Sequence, residues 1–567
     1  MNTVEAAHYD KVRTIFAILN GEGEADLLLK NLNILDVHGE TVQQGSILVH
    51  DKRIVALDPD ESILKVKEVF DGKGLYAIPG LIDAHIHFES QLAHPTALAE
   101  AMVPCGTTTI YAECLDLLSA AAEEGVEAAE NLFRDHEKLP YRLYAFAPGK
   151  KVSAAVTNRV LDMEPVIGLG EFEHFTYSSG NDDDFRKAAW VRARGGFMNG
   201  HWGVTALSDM LLNYLPAIGC SNNHDVWNEK DIEKSIRYGF PTHIKFGVGS
   251  SEVIKVLLRA IVDRKWPTDN FMLCTDNISI ERLLTMGHMD WIISLCAEMG
   301  INPIHAIKMA TYNTARSFHM EDRIGSLTPG RFADIVLTDS LSKINPLYVF
   351  KDGELVAKDR KLLKNAEIDY SAMAKEGVPG LADLTADQLD IAPLEISEDG
   401  SKAKVYLFDV YGRGHAKFHR EVWVPLKEGK VVPEVDGVKY SRLSVIQRYA
   451  NGKRHIVNGL FKGVSLDRGA VATFWPAPKP YFVVVGEESG EMCHCVKQVD
   501  SHAGACIVTE NGAEKAVMPL EIYGVMANMT VSELTAAAGA IDAALEELGN
   551  RNEGEPVVNK LLSLFIS

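Results

Sequence analysis

The sequence predicts an α/β chain built on a (β/α)8 barrel of the TIM type, with a small β-sandwich domain flanking it and an additional C-terminal α+β domain. Three observations predict this. Between Ile78 and Phe318, short apolar runs alternate about eight times with helix-like segments, the pattern of a parallel barrel. β-meander patterning precedes this region and returns after it, so one small β domain is assembled from both sides of an insertion. The chain has 567 residues, more than one core holds, and a further domain is expected beyond the barrel.

Residues 1–77 supply the first part of the β domain. Leu27-Leu28-Leu29, Leu32-Asn33-Ile34-Leu35, Gly45-Ser46-Ile47-Leu48-Val49 and Arg53-Ile54-Val55-Ala56-Leu57 read as short strands between polar turns. Residues 319–365 return to it, with Asp352-Gly353 as a hairpin turn between apolar runs. The barrel occupies residues 78–318. Its first strand enters through Pro79-Gly80 and ends at His85-Ile86-His87. Thr107–Tyr111, Arg142–Phe146, Val166–Gly170, Gly195–His201, Ala217–Ser221, His243–Phe246 and Phe271–Thr275 continue the series, with a helix expected from Leu117 to His136. A doubly wound sheet competes with the barrel, but no Gly-rich phosphate loop follows the first strand. Residues 366–402 read as an acidic linker. Residues 403–567 form the third domain, with strands at Lys404–Val410, Gly469–Phe474 and Tyr481–Val485. A final helix is capped by Thr530 with Glu533 three residues on.

Composition narrows the function. A net charge of -21 argues against nucleic acid or an anionic membrane surface as the main partner. No apolar run of about 18 residues suggests a membrane span, and the N-terminal stretch lacks the pattern of a secretory signal. The eight cysteines are irregularly spaced and read as reduced, buried thiols in a cytoplasm. Cys493-His494-Cys495 lacks the second ligand pair that a zinc site needs.

His85 and His87, two apart on a strand, project from one face and can take up a divalent metal together. An isolated pair of this kind is more often plain packing. Here Glu171, His201, His224 and Asp276 stand at the ends of later strands. Each has a bland explanation: a helix cap for Asp276, a loop histidine for His224, a surface carboxylate for Glu171. Four histidines and two carboxylates at the strand ends of one barrel are together hard to ascribe to accident. Imidazole and carboxylate without thiolate suit Zn, Fe or Mn. A carboxylate on a middle strand can bridge two ions, and a two-metal site lowers the pKa of water toward neutrality. Asp276 is then placed to take the proton of that water and hand it to a leaving nitrogen. The reaction class is hydrolysis at an electrophilic carbon.

Pro79-Gly80-Leu81-Ile82-Asp83-Ala84-His85-Ile86-His87 resembles the amidohydrolase superfamily. Its continuation Phe88-Glu89-Ser90, the Gly168-Leu169-Gly170-Glu171 strand, Gly200-His201, Leu273-Cys274-Thr275-Asp276 and the stretch from Gly459 to Ala472 are similar to the adenine deaminase family. The resemblance implies a binuclear centre with His85, His87, His201, His224 and Asp276 as ligands and Glu171 as the bridging carboxylate. It also places Glu89 near the metals or the substrate as a second catalytic group. The chain departs from the family at Tyr111-Ala112-Glu113-Cys114, His224-Asp225-Val226-Trp227, Lys245-Phe246-Gly247-Val248, Asp276-Asn277 and Thr473-Phe474-Trp475-Pro476. Substrate contacts are accordingly expected from Glu113 and Lys245 and from an aromatic wall of Trp202, Trp227, Phe246 and Trp475, set against ordinary core packing. The expected activity is hydrolytic deamination of adenine or a related aminated purine, with release of ammonia and two divalent metals (Mn, Fe or Zn) as cofactors. The alternative is opening of a cyclic amide, lactam or imide ring by the same centre. A non-catalytic binding protein is disfavoured because all six ligand positions are filled. The resemblance also implies a homo-oligomer, a dimer, acting on a small heterocycle.

Overall fold

The computed structural model describes residues 3–121, 124–150, 152–172, 180–247, 251–375, 380–410, 417–448, 453–475, 481–550 and 561. Its centre is an eight-stranded parallel sheet in sequence order: Leu81–His87, Thr107–Glu113, Arg142–Pro148, Val166–Phe172, Phe197–Gly200, Asn222–Asn223, Thr242–Lys245 and Phe271–Cys274. The eighth strand returns to the first through a bridge between Ile86 and Asp276, where Asp276 N–H donates to His85 O at 2.8 Å. Helices between the strands cover the outside. Tyr111, Phe146, Phe197 and Phe318 fill the lower interior, and the upper interior is polar. This is the barrel geometry in which strand C-terminal ends carry chemistry.

The sixth strand differs from its sequence-based placement. Ala217–Ser221 is not a strand. Ser208 caps a helix over Asp209–Ala217, Gly219 leaves it at φ +101°, and pairing begins only at Asn222. The expected helix over Leu117–His136 is two shorter helices, Leu115–Ala121 and Gly125–Phe133.

The flanking β domain is a nine-stranded sheet whose two halves come from either side of the barrel. Tyr76–Pro79 pairs antiparallel with Ile335–Thr338. A buried ion cluster joins this sheet to the barrel. Arg142 Nη2, from the third barrel strand, lies 2.5 Å from Asp352 Oδ1 and 3.4 Å from Asp334 Oδ2. Its guanidinium carbon stacks 3.6 Å from the Phe332 ring centroid, a cation–π contact.

The C-terminal domain is a ten-stranded sheet with helix Ser489–Ser501 on one face and helix Val531–Glu547 near its end. Leu381, Leu384 and Leu389, in the stretch that reads as an acidic linker, are buried in this domain's core. The domain docks on the barrel through Ala527 N–H, which donates to Leu92 O at 2.9 Å. All eight cysteines are buried free thiols. Cys493 and Cys495 point their sulfurs at backbone carbonyls of Leu384 and of Ala470 and Ile507, which is packing. No helix among the described residues is long and apolar enough to cross a membrane.

Candidate metal centre

Two backbone irregularities aim the ligands. The first barrel strand slips register between Asp83 and Ile86, so His85 and His87 follow Ile82 and Ala84 onto the inner face while Asp83 turns outward. The fourth strand slips against the fifth around Glu171, whose φ is +35°. Such bulges redirect side chains near active sites. Asp276 also sits in the left-handed region, at φ +55°, uncommon for a residue other than glycine and a mark of functional positions.

The side chains converge. His85 Nε2 and His87 Nε2 face each other at 3.2 Å. Asp276 Oδ1 lies 3.6 and 3.4 Å from them. Glu171 Oε1 is 3.1 Å from His87 Nε2, 3.5 Å from His201 Nδ1 and 3.9 Å from His224 Nε2. His201 Nδ1 and His224 Nε2 are 2.8 Å apart. Two donor groups result, His85–His87–Glu171–Asp276 and Glu171–His201–His224, each with its ligand atoms within 4.8 Å of one another. Glu171 belongs to both. Ring nitrogens and carboxylate oxygens that converge in this way, all buried except the half-buried His201, fit a divalent metal centre with nitrogen and oxygen ligands.

The surroundings support three of the candidate ligands, His85, Glu171 and Asp276. Asp83 Oδ1 accepts from the N–H groups of His85 and Thr275, each at 3.1 Å. Its Oδ2 lies 3.0 Å from His288 Nε2, so one buried carboxylate ties the first strand to the eighth. Asn199 Nδ2 lies 3.3 Å from His85 Nδ1, while Asn199 Oδ1 is buried without a partner. Turning this amide over puts its oxygen on the His85 Nδ1–H and frees Nε2 for a metal. Lys150 Nζ holds Glu171 Oε2 at 2.8 Å. Lys245 Nζ reaches Asp225 Oδ1 at 3.0 Å and Asp276 Oδ2 at 3.2 Å.

Burial and charge compete at every group. Burial alone raises the pKa of Glu171 and Asp276. For Glu171 this is outweighed by Lys150, His201 and His87, and for Asp276 by Lys245, His87 and His85, so both stay well below the carboxylate range. Burial lowers His85 to about 4. It also lowers His87, but the Glu171 and Asp276 carboxylates reverse the sign and hold that imidazole well above its usual value.

Glu113 and Glu89 line the same region as buried carboxylates. Glu113 Oε1 accepts from Glu171 N–H at 3.1 Å and lies 3.9 Å from His85 Nδ1. Its carboxylate packs on Gly170, where a Cβ would meet it at 2.0 Å. Burial, then the charge of Glu171, pushes it up to about 8. Glu89 Oε1 accepts from Leu117 N–H at 2.8 Å and its Oε2 has no partner. Burial and the charge of Asp116 push it up to about 7. Trp227 belongs with the centre: its indole donates to Asp225 Oδ1 at 2.5 Å and its ring lies 4.5 Å from Lys245 Nζ.

Two of the other three residues, Phe246 and Trp202, face away from the centre. Phe246 follows Lys245 on the strand and points the opposite way, into the shell between barrel and helices, with its ring 6.1 Å from that of Trp291. Trp202 folds back under its strand against Gly200, where a Cβ would lie 2.1 Å from the indole, and packs edge-on against Phe240. Both are core side chains. Trp475 ends a strand of the C-terminal sheet, and its side chain lies outside the described residues. Asp83, Lys150, Asn199, Asp225 and His288 are absent from the sequence-based set. Asp83, Asn199 and Asp225 stand beside ligand positions, whereas nothing local marks Lys150 or His288.

Residues 223–356 match the Amidohydrolase family and residues 416–566 the Adenine deaminase C-terminal domain. The chain is 32% identical over 546 residues to an adenine deaminase of Desulforamulus reducens, covering 93% of this chain and 90% of that one. It is 28% identical over 549 residues to an adenine deaminase of Kosmotoga olearia, covering 94% and 91%. A solved β-aspartyl dipeptidase from Fervidobacterium islandicum aligns with a TM-score of 0.48 at 18% identity, covering 60% of this chain and 98% of that one.

Proposed function

The chain belongs to the adenine deaminase family of amidohydrolases, and from that premise we propose that it hydrolyses adenine to hypoxanthine and ammonia at the centre around Glu171. The observation that carries this is the shared position of Glu171 Oε1 between two histidine groups, with Asp276 at their edge. Two divalent ions, of Mn, Fe or Zn, are the cofactors the donor set favours; His85, His87 and Asp276 would hold one and His201 and His224 the other, with Glu171 available to both. Such ions supply Lewis acidity and lower the pKa of water.

The protein's own groups do the rest. Asp276 is ionised, with Oδ1 toward the histidine pair and Oδ2 toward Lys245. It takes a proton from the attacking water as the C6–O bond forms, and gives it to the amine as the C6–N bond breaks. Lys150 and Lys245 each fix one oxygen of a working carboxylate, so that the other oxygen is the one presented. Glu113 and Glu89, raised toward neutrality, are placed to hold a proton at the ring edge and to hydrogen-bond purine nitrogens, which a permanently charged carboxylate cannot do.

The test is a turnover assay of metal-reconstituted protein with adenine and with a cyclic imide, following ammonia and ring absorbance together. Stoichiometric ammonia with the spectral change of adenine to hypoxanthine is expected. Imide opening without ammonia from adenine overturns the assignment.

A further inference from the structure

His288 is not among the candidate ligands, yet it is tied to the strands that carry His85 and Asp276. Asp83, Thr107, Thr275 and His288 are all fully buried. Asp83 Oδ1 accepts from the backbone N–H groups of His85 and Thr275, each at 3.1 Å. Its Oδ2 accepts from the Thr275 hydroxyl and lies 3.0 Å from His288 Nε2. A carboxylate has about four acceptor positions, and these contacts fill them. The His85 N–H finds a side chain here because the ladder between the first and second strands slips between Asp83 and Ile86. The Thr275 N–H does so because the eighth strand ends at Cys274. One carboxylate therefore replaces ladder carbonyls beside two candidate ligands, His85 and Asp276.

His288 governs where that carboxylate sits. Its Nε2 faces a carboxylate oxygen and so carries the ring proton. In the neutral ring, Nδ1 then accepts from the Thr107 hydroxyl, 2.7 Å away on the second strand. The backbone N–H of His288 donates to Asp290 Oδ1 at 2.8 Å, and Asp290 Oδ2 accepts from Arg360 of the β domain, also at 2.8 Å. The imidazole is thus held at both nitrogens and at its backbone, at the start of helix Met289–Glu298. We propose that His288 is a positioning residue for the metal centre. By holding Asp83 it fixes the backbone at His85 and at Thr275–Asp276, and with it the 3.6 Å spacing of His85 Nε2 and Asp276 Oδ1. This role rests on the metal-centre reading of those two side chains.

Two amide substitutions separate positioning from packing. The side-chain nitrogen of glutamine falls near the place of Nε2 and reaches Asp83. That of asparagine falls near the place of Nδ1 and reaches only Thr107. His288→Gln and His288→Asn are made in the full-length protein, loaded with zinc and titrated with a competing chelator, and the melting temperature, kcat and KM are measured on each. His288→Asn is expected to hold zinc about 10- to 100-fold more weakly, as loss of an outer-shell partner does, with kcat falling more than KM changes. His288→Gln, which keeps the donor to Asp83, is expected to stay within about threefold of the unaltered protein. A packing role instead lowers both melting temperatures and leaves the two zinc affinities equal, which overturns the proposal. Weaker retention in His288→Gln than in His288→Asn overturns it as well. Where His288→Asn does not fold, His288→Gln decides alone: a folded variant that has lost its zinc overturns the role. An unaltered protein that holds no zinc overturns the metal-centre reading itself, and this role with it.

Discussion

Lys245 Nζ stands 3.2 Å from Asp276 Oδ2 and 3.0 Å from Asp225 Oδ1, with the Trp227 ring 4.5 Å away. The ammonium is buried, and burial opposes its charge, but the two carboxylates hold its pKa above the ordinary lysine value. Asp276 is thereby made asymmetric: one oxygen bound to a cation, the other turned toward the histidines. Lys245→Met leaves two carboxylates in a buried site without their cation, a change that destabilises by about 3–5 kcal/mol. Turnover is expected to fall about 10- to 100-fold, with KM changing less than kcat. Asp276→Asn removes the proton acceptor itself, and about 10²–10⁴-fold of turnover goes with it. Thermal melts and steady-state kinetics on both variants check this; normal turnover in Asp276→Asn removes that residue from the proton transfer.

Glu171 is the common member of both donor groups, so on the proposed two-ion reading its replacement acts on both. Glu171→Gln keeps the shape and removes the charge. Metal analysis after dialysis is expected to show less than one ion per chain, against two for the unaltered protein. His201→Ala, which touches one group, is expected to keep about one. Full metal content in Glu171→Gln contradicts the shared role.

Much of the barrel, and which side chains converge at its C-terminal end, was legible in the sequence, for a physical reason. The converging side chains of His85, His87, Glu171, His201, His224 and Asp276 sit at or just past strand ends, and strand ends are marked locally by apolar runs that stop. The directions of neighbouring side chains were less legible. Lys245 and Phe246 are adjacent, yet one enters the barrel and the other the helix shell, and the choice depends on a register that pairing with other strands sets. Trp202 turns under its strand because Gly200 leaves room, a three-dimensional fact. Lys150 reaches Glu171, and His288 reaches Asp83, from turns whose path no local pattern encodes. The short sixth strand was misplaced because Ala217–Ser221 is apolar for another reason, the end of a capped helix.

Asn199 offers a sharper test of the support beneath a ligand. With its oxygen on the His85 Nδ1–H, the amide fixes the tautomer that presents Nε2. Asn199→Leu is expected to weaken metal retention about 10- to 100-fold in chelator competition. Asn199→Asp keeps an acceptor at the same place and is expected to restore retention. A Leu variant that holds metal as tightly as the unaltered protein sinks the orienting role.

The joint between barrel and β sheet predicts a pH dependence. Burial alone raises the Asp352 carboxyl, but Arg142 and Lys351 outweigh it and hold it below the usual range. A carboxylate depressed in the folded state contributes stability that is complete above its unfolded pKa, about 3.9, and is lost as pH falls through the lower folded value. Asp352→Asn removes a charge-assisted bond to Arg142, which keeps Asp334 as a partner at 3.4 Å, so the loss at pH 7 is expected near 1.5–3 kcal/mol. The stability difference between the variant and the unaltered protein should stay constant from pH 7 to about 5 and shrink below about 4, as the unaltered protein takes up the proton that the variant cannot. Paired denaturant melts across that range measure the difference directly, and a gap that persists undiminished to pH 3 shows that the joint does not depend on the charge of Asp352.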